Sequence, residues 1–356
     1  MKTPLALDTL GWKELQHALE SLGEPAYRSR QIFMWLYQKG VFSFEEMTDL
    51  PRSLRTRLAE RAILHPIELV RTQQARDKTI KCLFKLTSGA YIESVLIPDF
   101  KENNEVHRLT VCVSSQVGCA MGCRFCATGM MGFHQNLTAG EIVQQVIQMN
   151  RLAHEHFGRR ITNIVYMGMG EPLLNYDQVL KSVYILTHRQ SLGLAPRRIT
   201  ISTVGLARRI KQLAEESVRP RLAVSLHAPV DEKRSAIMPV NRSRQTDLRA
   251  LREALTYYYE RTRQPVTYEY CLFQGFNDSP EDARQLARIC RWVPSKVNLI
   301  MYNPVAGVPF KRVSEERLND FIQELLTRHV RVTVRRSRGD DIQAACGQLA
   351  TEEQAS

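Results

Sequence analysis

From Leu109 to Arg335 the chain alternates short β-prone runs with amphipathic stretches, and this alternation restricts the fold more than any other feature. Seven runs read as strands: Thr110–Ser114, Ile161–Met167, Arg198–Thr203, Arg221–Leu226, Val266–Phe273, Lys296–Tyr302 and Arg331–Arg335. Helical segments are expected between them. Thr138-x-x-Glu141 has the form of a capping box, Ile142, Val146 and Met149 follow as an apolar stripe, and Gly158 is placed to stop the helix. Asp177, Asp247 and Ser279-Pro280 are expected to open later helices. Such alternation builds a parallel sheet covered by helices. Six βα units and one last strand are too few for a closed eight-stranded barrel. The expected fold is α/β, a partial (β/α)6 barrel with an extra C-terminal strand and a small N-terminal helical domain.

The first seventy residues read as short helices: one from Gly11-Trp12 with Leu15, Leu19 and Leu22 on a face, one from Tyr27 to Tyr37, and one after Pro51. Residues 80–97 resemble a strand, a turn at Gly89-Ala90 and a second strand, and Pro98 through Val106 is polar enough for a linker. The expected divisions are a helical domain at 1–75, a hairpin and linker at 76–106, a barrel at 107–338 and a C-terminal loop and tail at 339–356.

Forty-nine Lys and Arg against 37 Asp and Glu give a net charge of +12, which favours a polyanionic partner. No apolar run approaches the roughly 18 residues of a membrane span, and Met1 to Leu10 lacks the pattern of a signal peptide. The expected location is the cytoplasm, where thiols stay reduced. The eight cysteines are unevenly placed, four of them between Cys112 and Cys126.

Cys119-x-x-x-Cys123-x-x-Cys126 lies in a Gly-rich loop after the first core strand. Zinc would want a fourth ligand at short spacing, and no histidine is closer than His134. An iron–sulfur cluster normally takes four cysteines, so three leave one iron open to another molecule. Gly168-x-Gly170-Glu171 follows the second strand. It reads either as a tight strand-to-helix turn or as a close backbone approach to a ligand, with Glu171 as an acceptor for an ammonium group. Ser202, Ser225, Leu226, His227 and Asn303 all fall at C-terminal ends of expected parallel strands, where α/β barrels place their chemistry. Cys346, among Gly339, Gly347 and two alanines, suits either a buried tail or a mobile loop. Cys82, Cys271 and Cys290 match no motif and read as packing.

The cysteine spacing, with Phe125 before the third cysteine, resembles the radical S-adenosylmethionine (SAM) enzymes. The resemblance narrows through Cys112-Val-Ser-Ser-Gln-Val-Gly-Cys119, Gly168-Met-Gly-Glu-Pro-Leu-Leu-Asn175, Ser225-Leu-His227-Ala-Pro and Gly339-Asp-Asp-Ile-Gln-Ala-Ala-Cys346-Gly-Gln-Leu. Together these resemble the RlmN-type RNA methyltransferases, from about Gly23-Glu24 to Leu349. The resemblance implies a [4Fe-4S] cluster on Cys119, Cys123 and Cys126, and a SAM pocket at Gly170, Glu171, Ser202, Ser225, Leu226, His227 and Asn303. It implies that Cys346 carries a methyl group, that Cys112 resolves the intermediate, and that Glu93 is a general base. Two SAM molecules per turnover are implied, one to methylate Cys346 and one to generate a radical. The implied substrates are 23S rRNA at adenine C2 in the peptidyl-transferase centre and the tRNA adenine beside the anticodon. An external electron donor and a disulfide reductant are implied, with no membrane partner and a monomeric enzyme.

Two rival readings stay open on sequence: a Cfr-type enzyme acting at C8 of the same rRNA adenine, and a non-enzymatic iron–sulfur RNA-binding or redox-sensing protein. Pro172 and Asp340-Asp341 resemble the RlmN type more closely. Charge adds a further expectation. Residues 1–70 hold nine basic and nine acidic side chains, so the excess belongs to the core. It concentrates at 178–214 and at Arg328, Arg331, Arg335, Arg336 and Arg338. Arg335, Arg336 and Arg338 are expected to contact RNA phosphates, and the N-terminal region to read RNA shape.

Overall fold

The computed structural model describes residues 4–350; Met1 to Thr3 and the end of the expected tail, 351–356, lie outside the described residues. Ten strands form one sheet in which spatial order is chain order. They are β1 (Glu68–Gln74), β2 (Ile80–Lys85), β3 (Tyr91–Phe100), β4 (Val106–Cys112), β5 (Asn163–Tyr166), β6 (Ile199–Thr203), β7 (Arg221–Ser225), β8 (Val266–Leu272), β9 (Ser295–Met301) and β10 (Val332–Arg335). β1 to β4 pair antiparallel. β4 to β10 pair parallel throughout.

Each parallel step needs a crossover that carries the chain back to the starting end of the sheet. Helices Ala139–Phe157, Tyr176–Thr187, Ala207–Ala214, Leu248–Thr262, Pro280–Ile289 and Glu315–Leu326 fill the six crossovers. This is the expected six-unit partial barrel with a final strand.

Local chemistry sets the helix ends. The Glu141 amide donates to Thr138 Oγ1 at 3.2 Å while the Thr138 amide donates to Glu141 Oε2 at 2.8 Å, so two otherwise orphaned donors are satisfied reciprocally. Gly158 closes the same helix at φ 61°. Ser279 with Asp282 repeats the box, and Asp247 accepts from the Ala250 amide at 2.8 Å. Asp177 does not cap its helix. It lies in the first turn of Tyr176–Thr187, and Asn175 holds the cap position with its amide turned to the Ser115 and Leu137 carbonyls, at 2.8 and 2.7 Å.

The structure differs from expectation in two further places. The polar stretch from Pro98 is not all linker, because β3 continues to Phe100 and pairs Pro98 with Leu109 and Asp99 with Arg108; only the turn between Phe100 and Val106 is free of strand. β1 lies within the stretch expected to be helical. It is an edge strand exposed on both faces, Leu69 and Val70 included, so burial imposes no alternation on its sequence.

The three N-terminal helices are Trp12–Ser21, Tyr27–Met34 and Arg52–Arg61. A π turn, Trp35–Lys39, extends the second, and a two-residue parallel bridge of Leu5–Ala6 with Ala62–Ile63 ties the ends together. The unit packs on helix Ala139–Phe157. Arg151 donates to the Lys39 and Gly40 carbonyls, each at 2.8 Å, and a Cβ on Gly140 would stand 2.4 Å from the Asp8 carbonyl oxygen. Trp12 stacks on His188 at 4.6 Å. Among the described residues no helix is long and apolar enough to cross a membrane. Beside the main core, a second apolar cluster gathers Cys123, Val204, Ile237, Met238, Cys271 and Phe273 near the C-terminal ends of the parallel strands.

Candidate active site at the C-terminal mouth of the sheet

After β4 the chain forms a short strand, Gln116–Gly118, that pairs antiparallel with Phe133–Asn136, and the cysteine loop lies between them. Gly118 sits at φ 69°, and a Cβ there would lie 1.9 Å from the Gly132 carbonyl oxygen, which accepts the Cys119 amide at 2.7 Å. Only glycine fits this neck. Gly129 similarly leaves room for the Cys123 backbone, 3.0 Å from where its Cβ would be.

Burial pushes all three thiols upward, Cys119 to about 12; Cys119 and Cys123 also feel the charge of Cys126, and Cys126 that of Cys346. The Met121 amide donates to the Cys119 sulfur, and the Thr128 and Gly129 amides to that of Cys126. Among the described residues no three His, Cys, Asp or Glu side chains converge on a single-ion site. Three neighbouring sulfurs that do not meet at one point, two of them supplied with N–H donors, fit a polynuclear iron–sulfur cluster, whose thiolates bind separate irons and whose potential depends on such bonds. Phe125 packs its ring against His227 at 4.9 Å and Phe273 at 5.3 Å, closing the loop on its apolar side.

The rim expected to bind SAM is assembled around Glu171. Its Oε1 accepts from the Leu173 amide at 3.0 Å and its Oε2 from the Val204 amide at 2.9 Å. Burial raises the carboxyl to about 7 against these bonds. Gly170, at φ 98°, fits the tight-turn alternative, packed against the chain's own Gln116: a Cβ would come within 2.5 Å of the Gln116 Cβ. Ser202 Oγ and Ser225 Oγ lie 3.4 Å apart on adjacent strands. Leu226 is fully buried, and its amide donates to the Glu269 carbonyl at 3.0 Å.

His227 holds φ 56°, a left-handed conformation costly for a non-glycine residue. Asn277 stabilises it by donating to the His227 carbonyl at 2.6 Å. The ring Nδ1 accepts from the Cys271 amide at 3.0 Å, which makes the imidazole neutral with its hydrogen on Nε2. Burial, then the nearby Arg234 charge, lowers His227 to about 3.

The C-terminal segment folds back over this mouth. Asn303 Nδ2 donates to the Cys346 carbonyl at 3.2 Å, and the Ala127 amide beside Cys126 donates to the Gly347 carbonyl at 2.8 Å. Thr128 Oγ1 reaches the Leu349 carbonyl at 2.5 Å, and the Ala350 amide donates to Glu93 Oε2 at 3.1 Å. Glu93 is 2 % exposed rather than solvated, and Lys81 Nζ lies 3.0 Å from its Oε1. Burial raises this carboxyl and Lys81 draws it back down. All eight cysteines are free thiols. Cys112 is pushed to about 12 by burial and then by the charge of Cys346, while Arg335 opposes both.

Arg335 is a correction to the expected basic patch. Its guanidinium turns inward, hydrogen-bonding the Cys346 sulfur and donating to Met167 Sδ at 3.3 Å, with its proton held most strongly by the charge of Cys346. Arg336 stays exposed, and Arg338 lies 3.7 Å from Asp99. Cys271, read as packing, belongs to the apolar cluster with Cys123 and feels the charge of Cys346. The fold thus brings the expected residues to one mouth. It adds Lys81, Arg234 and Glu269 and gives Arg335 a different place; a position within a strand is the one signal that Lys81, Glu269 and Arg335 carried, and Arg234 carried none.

Comparison with known proteins agrees with this arrangement. A family model described as the ribosomal RNA large subunit methyltransferase N-terminal domain matches residues 6–64, and the radical SAM superfamily model matches residues 113–287. A protein of Salinibacter ruber named "Probable dual-specificity RNA methyltransferase RlmN" is 59% identical over 346 residues, covering 97% of this chain and 94% of its own. The "Dual-specificity RNA methyltransferase RlmN" of Nitratidesulfovibrio vulgaris is 43% identical over 351 residues, covering 97% and 94%. The crystal structure of a radical SAM methyltransferase from Sphaerobacter thermophilus superposes with a TM-score of 0.90 at 48% identity, covering 97% of this chain and 99% of that one.

Proposed function

Because this chain belongs to the RlmN family of radical SAM RNA methyltransferases, we propose that it methylates C2 of one adenine in the peptidyl-transferase centre of 23S rRNA and of the adenine beside the anticodon in tRNA. The reaction passes through a methyl group on Cys346 and a transient covalent joint between protein and RNA. The observation that carries this reading is the position of Cys346. Its segment is bonded to the cysteine loop through Ala127 and to the rim through Asn303, and it shares Arg335 with Cys112.

Cys119, Cys123 and Cys126 hold the [4Fe-4S] cluster in this reading, and Gly170, Glu171, Ser202, Ser225, Leu226, His227 and Asn303 line the SAM pocket. When bound, the two cofactors supply a one-electron cleavage that can remove hydrogen from an unactivated methyl group. The protein's own groups do the rest. Cys346 takes a methyl group at sulfur from SAM, and the radical chemistry would draw on a further SAM, two per turnover. The methyl carbon of Cys346, less one hydrogen atom, becomes bonded to adenine C2; Glu93 removes the proton that C2 carried, and the odd electron left on the adduct would return to the cluster. Cys112, as thiolate, attacks the Cys346 sulfur, which breaks the sulfur–carbon bond; the released carbon takes up a proton to complete the methyl group on the RNA, and a Cys112–Cys346 disulfide is left. Arg335 faces both sulfurs, and its charge opposes the burial that keeps Cys112 protonated.

An external electron donor and a thiol reductant complete the cycle, which suits a monomer working in the reducing cytoplasm. The N-terminal helical unit contributes RNA contacts by shape. Mass spectrometry of nucleosides from rRNA and tRNA, in cells with and without the protein, tests the proposal. New 2-methyladenosine in both RNAs is expected. 8-Methyladenosine would make the enzyme a C8 methyltransferase, and no new methyladenosine would overturn the assignment.

A further inference from the structure

One charged side chain near the site has no role in the mechanism above. Arg234 lies in the helix Asp231–Ile237 and is 0 % exposed, the largest fully buried side chain among the described residues. Its nitrogens all donate. Nε donates to the Leu226 carbonyl at 3.2 Å, and Nη1 to Asn241 Oδ1 and to the Thr246 carbonyl at 3.3 Å. Nη2 donates to the Val204 carbonyl and to the Ser225 carbonyl at 3.4 Å. Every acceptor is neutral. Asp231 is nearby, but its Oδ1 accepts from the Leu248 amide and Asn241 Nδ2, each at 2.9 Å, and among the described residues no carboxylate forms an ion pair with Arg234. A buried cation without a paired anion is costly, so its retention calls for a compensating negative charge.

The surroundings locate that charge. One turn on, the Ile237 carbonyl accepts the amide of Arg124, which lies between Cys123 and Cys126, at 3.0 Å. Ile237 and Val204 share the apolar cluster that encloses Cys123. The Val204 amide is the donor to Glu171. Arg234 therefore lies behind the Cys123 side of the loop, in a medium poor in water, where charges are weakly screened.

We propose that Arg234 is a positioning residue that fixes the strand ends at Val204 and Ser225 and stabilises the electron-rich, reduced state of the cluster held beside it. The inference rests on the assignment of Cys119, Cys123 and Cys126 as ligands. Reduction adds one negative charge to the cluster, and a permanent positive charge nearby favours the reduced form over the oxidised one. Arg234 so raises the midpoint potential and eases electron delivery from the external donor.

The test is an anaerobic redox titration of the purified, cluster-loaded protein without SAM, followed by electron paramagnetic resonance, on the wild type and on Arg234→Lys, Arg234→Gln and Arg234→Met. Iron and sulfide content are measured on each sample. The neutral variants are expected to lower the ratio of reduced to oxidised cluster at least tenfold at a fixed ambient potential, about 59 mV for a one-electron couple. Arg234→Lys, which keeps the charge and loses most of the hydrogen bonds, is expected to hold the ratio within about twofold. Equal shifts in Lys and Gln variants, or no shift in either neutral one, would overturn the proposal. Should the neutral variants fail to take up iron, Asn241→Asp decides, by pairing a carboxylate with Arg234. A tenfold fall in the ratio is expected there, and an unchanged potential refutes the role. Cys123→Ala separates the premise: full retention of the cluster spectrum would remove the ligand assignment, whatever Arg234 does.

Discussion

The Ala350 amide donates to Glu93 Oε2 at 3.1 Å across 257 residues of chain, so the carboxylate proposed as the base also anchors the segment that carries Cys346. Lys81 joins the same point from the neighbouring strand, 3.0 Å from Glu93 Oε1 and 3.5 Å from the Gln343 carbonyl. Removing the charge from Glu93 therefore affects both proton transfer and segment docking. Glu93→Gln keeps an acceptor for Ala350 and loses the base. It is expected to lower 2-methyladenosine formation on the order of 100-fold or more while Cys346 is still methylated, as peptide mass spectrometry would read. Loss of Cys346 methylation as well would assign Glu93 to docking alone.

The two thiols are expected to separate cleanly. Cys112→Ala stalls the reaction after the RNA is joined, so a protein–RNA adduct accumulates on a denaturing gel. Cys346→Ala has no atom through which to join RNA and gives none. Absence of adduct in both, with cluster and SAM bound, would contradict these roles.

Arg335 closes the last strand and turns to the sulfurs, while Arg336, just beyond the strand, is exposed. Arg336→Gln is expected to reduce the slope of log binding constant against log salt by about 0.7 to 0.9 for each RNA phosphate that the side chain neutralises. Arg335→Gln is expected to leave that slope unchanged and to slow Cys346 methylation instead. A reduced slope in Arg335→Gln would return it to the RNA-binding surface.

His227 predicts a pH dependence of stability. Its folded proton affinity is depressed to about 3 from 6.5, so as pH falls the unfolded chain takes up the proton first. The stabilising contribution is complete above 6.5 and is lost as pH falls from there toward 3, by up to about 1.4 kcal/mol per pH unit. His227→Gln should show a shallower loss than wild type between pH 6.5 and 5 in urea unfolding. Parallel pH profiles would mean that the ring is accessible to protons in the folded state.

Gly118→Ala is expected to cost about 3 kcal/mol or more, because a methyl group there overlaps the Gly132 carbonyl and φ 69° strains any side chain. The accompanying loss of iron on purification is the direct measurement. Full iron content would show that the neck can rearrange.

The strands β5 to β9 are legible because each is largely buried and bounded by capping and turn residues that have one use. The cysteine triplet was legible from spacing alone. β1 is not, since an edge strand exposed on both faces has no compulsory pattern. Asn175 displaced Asp177 because a tertiary demand, the Ser115 and Leu137 carbonyls, took the side chain that precedes the helix. A run of arginines looks like surface when counted, whereas Arg335 ends the last strand at the mouth, where the Cys346 sulfur and Met167 Sδ take its guanidinium. Arg234 follows Asp-Glu-Lys and reads as a solvated helix; only the fold reveals that its five partners come from four separate loops and strand ends.

Because strand order in space equals strand order in the chain, each new strand finds its partner already made when it leaves the ribosome. The sheet can therefore grow by addition at one edge, with little delay for distant pairing. Cys346 is the exception. Its anchors at Asp77, Glu93 and Thr128 are among the earlier residues synthesised and wait longest for their partners at Gly339, Ala350 and Leu349. The thiol proposed to react is thus delivered last, onto a finished mouth, and a product of translation truncated before it is expected to lack the proposed methyl transfer.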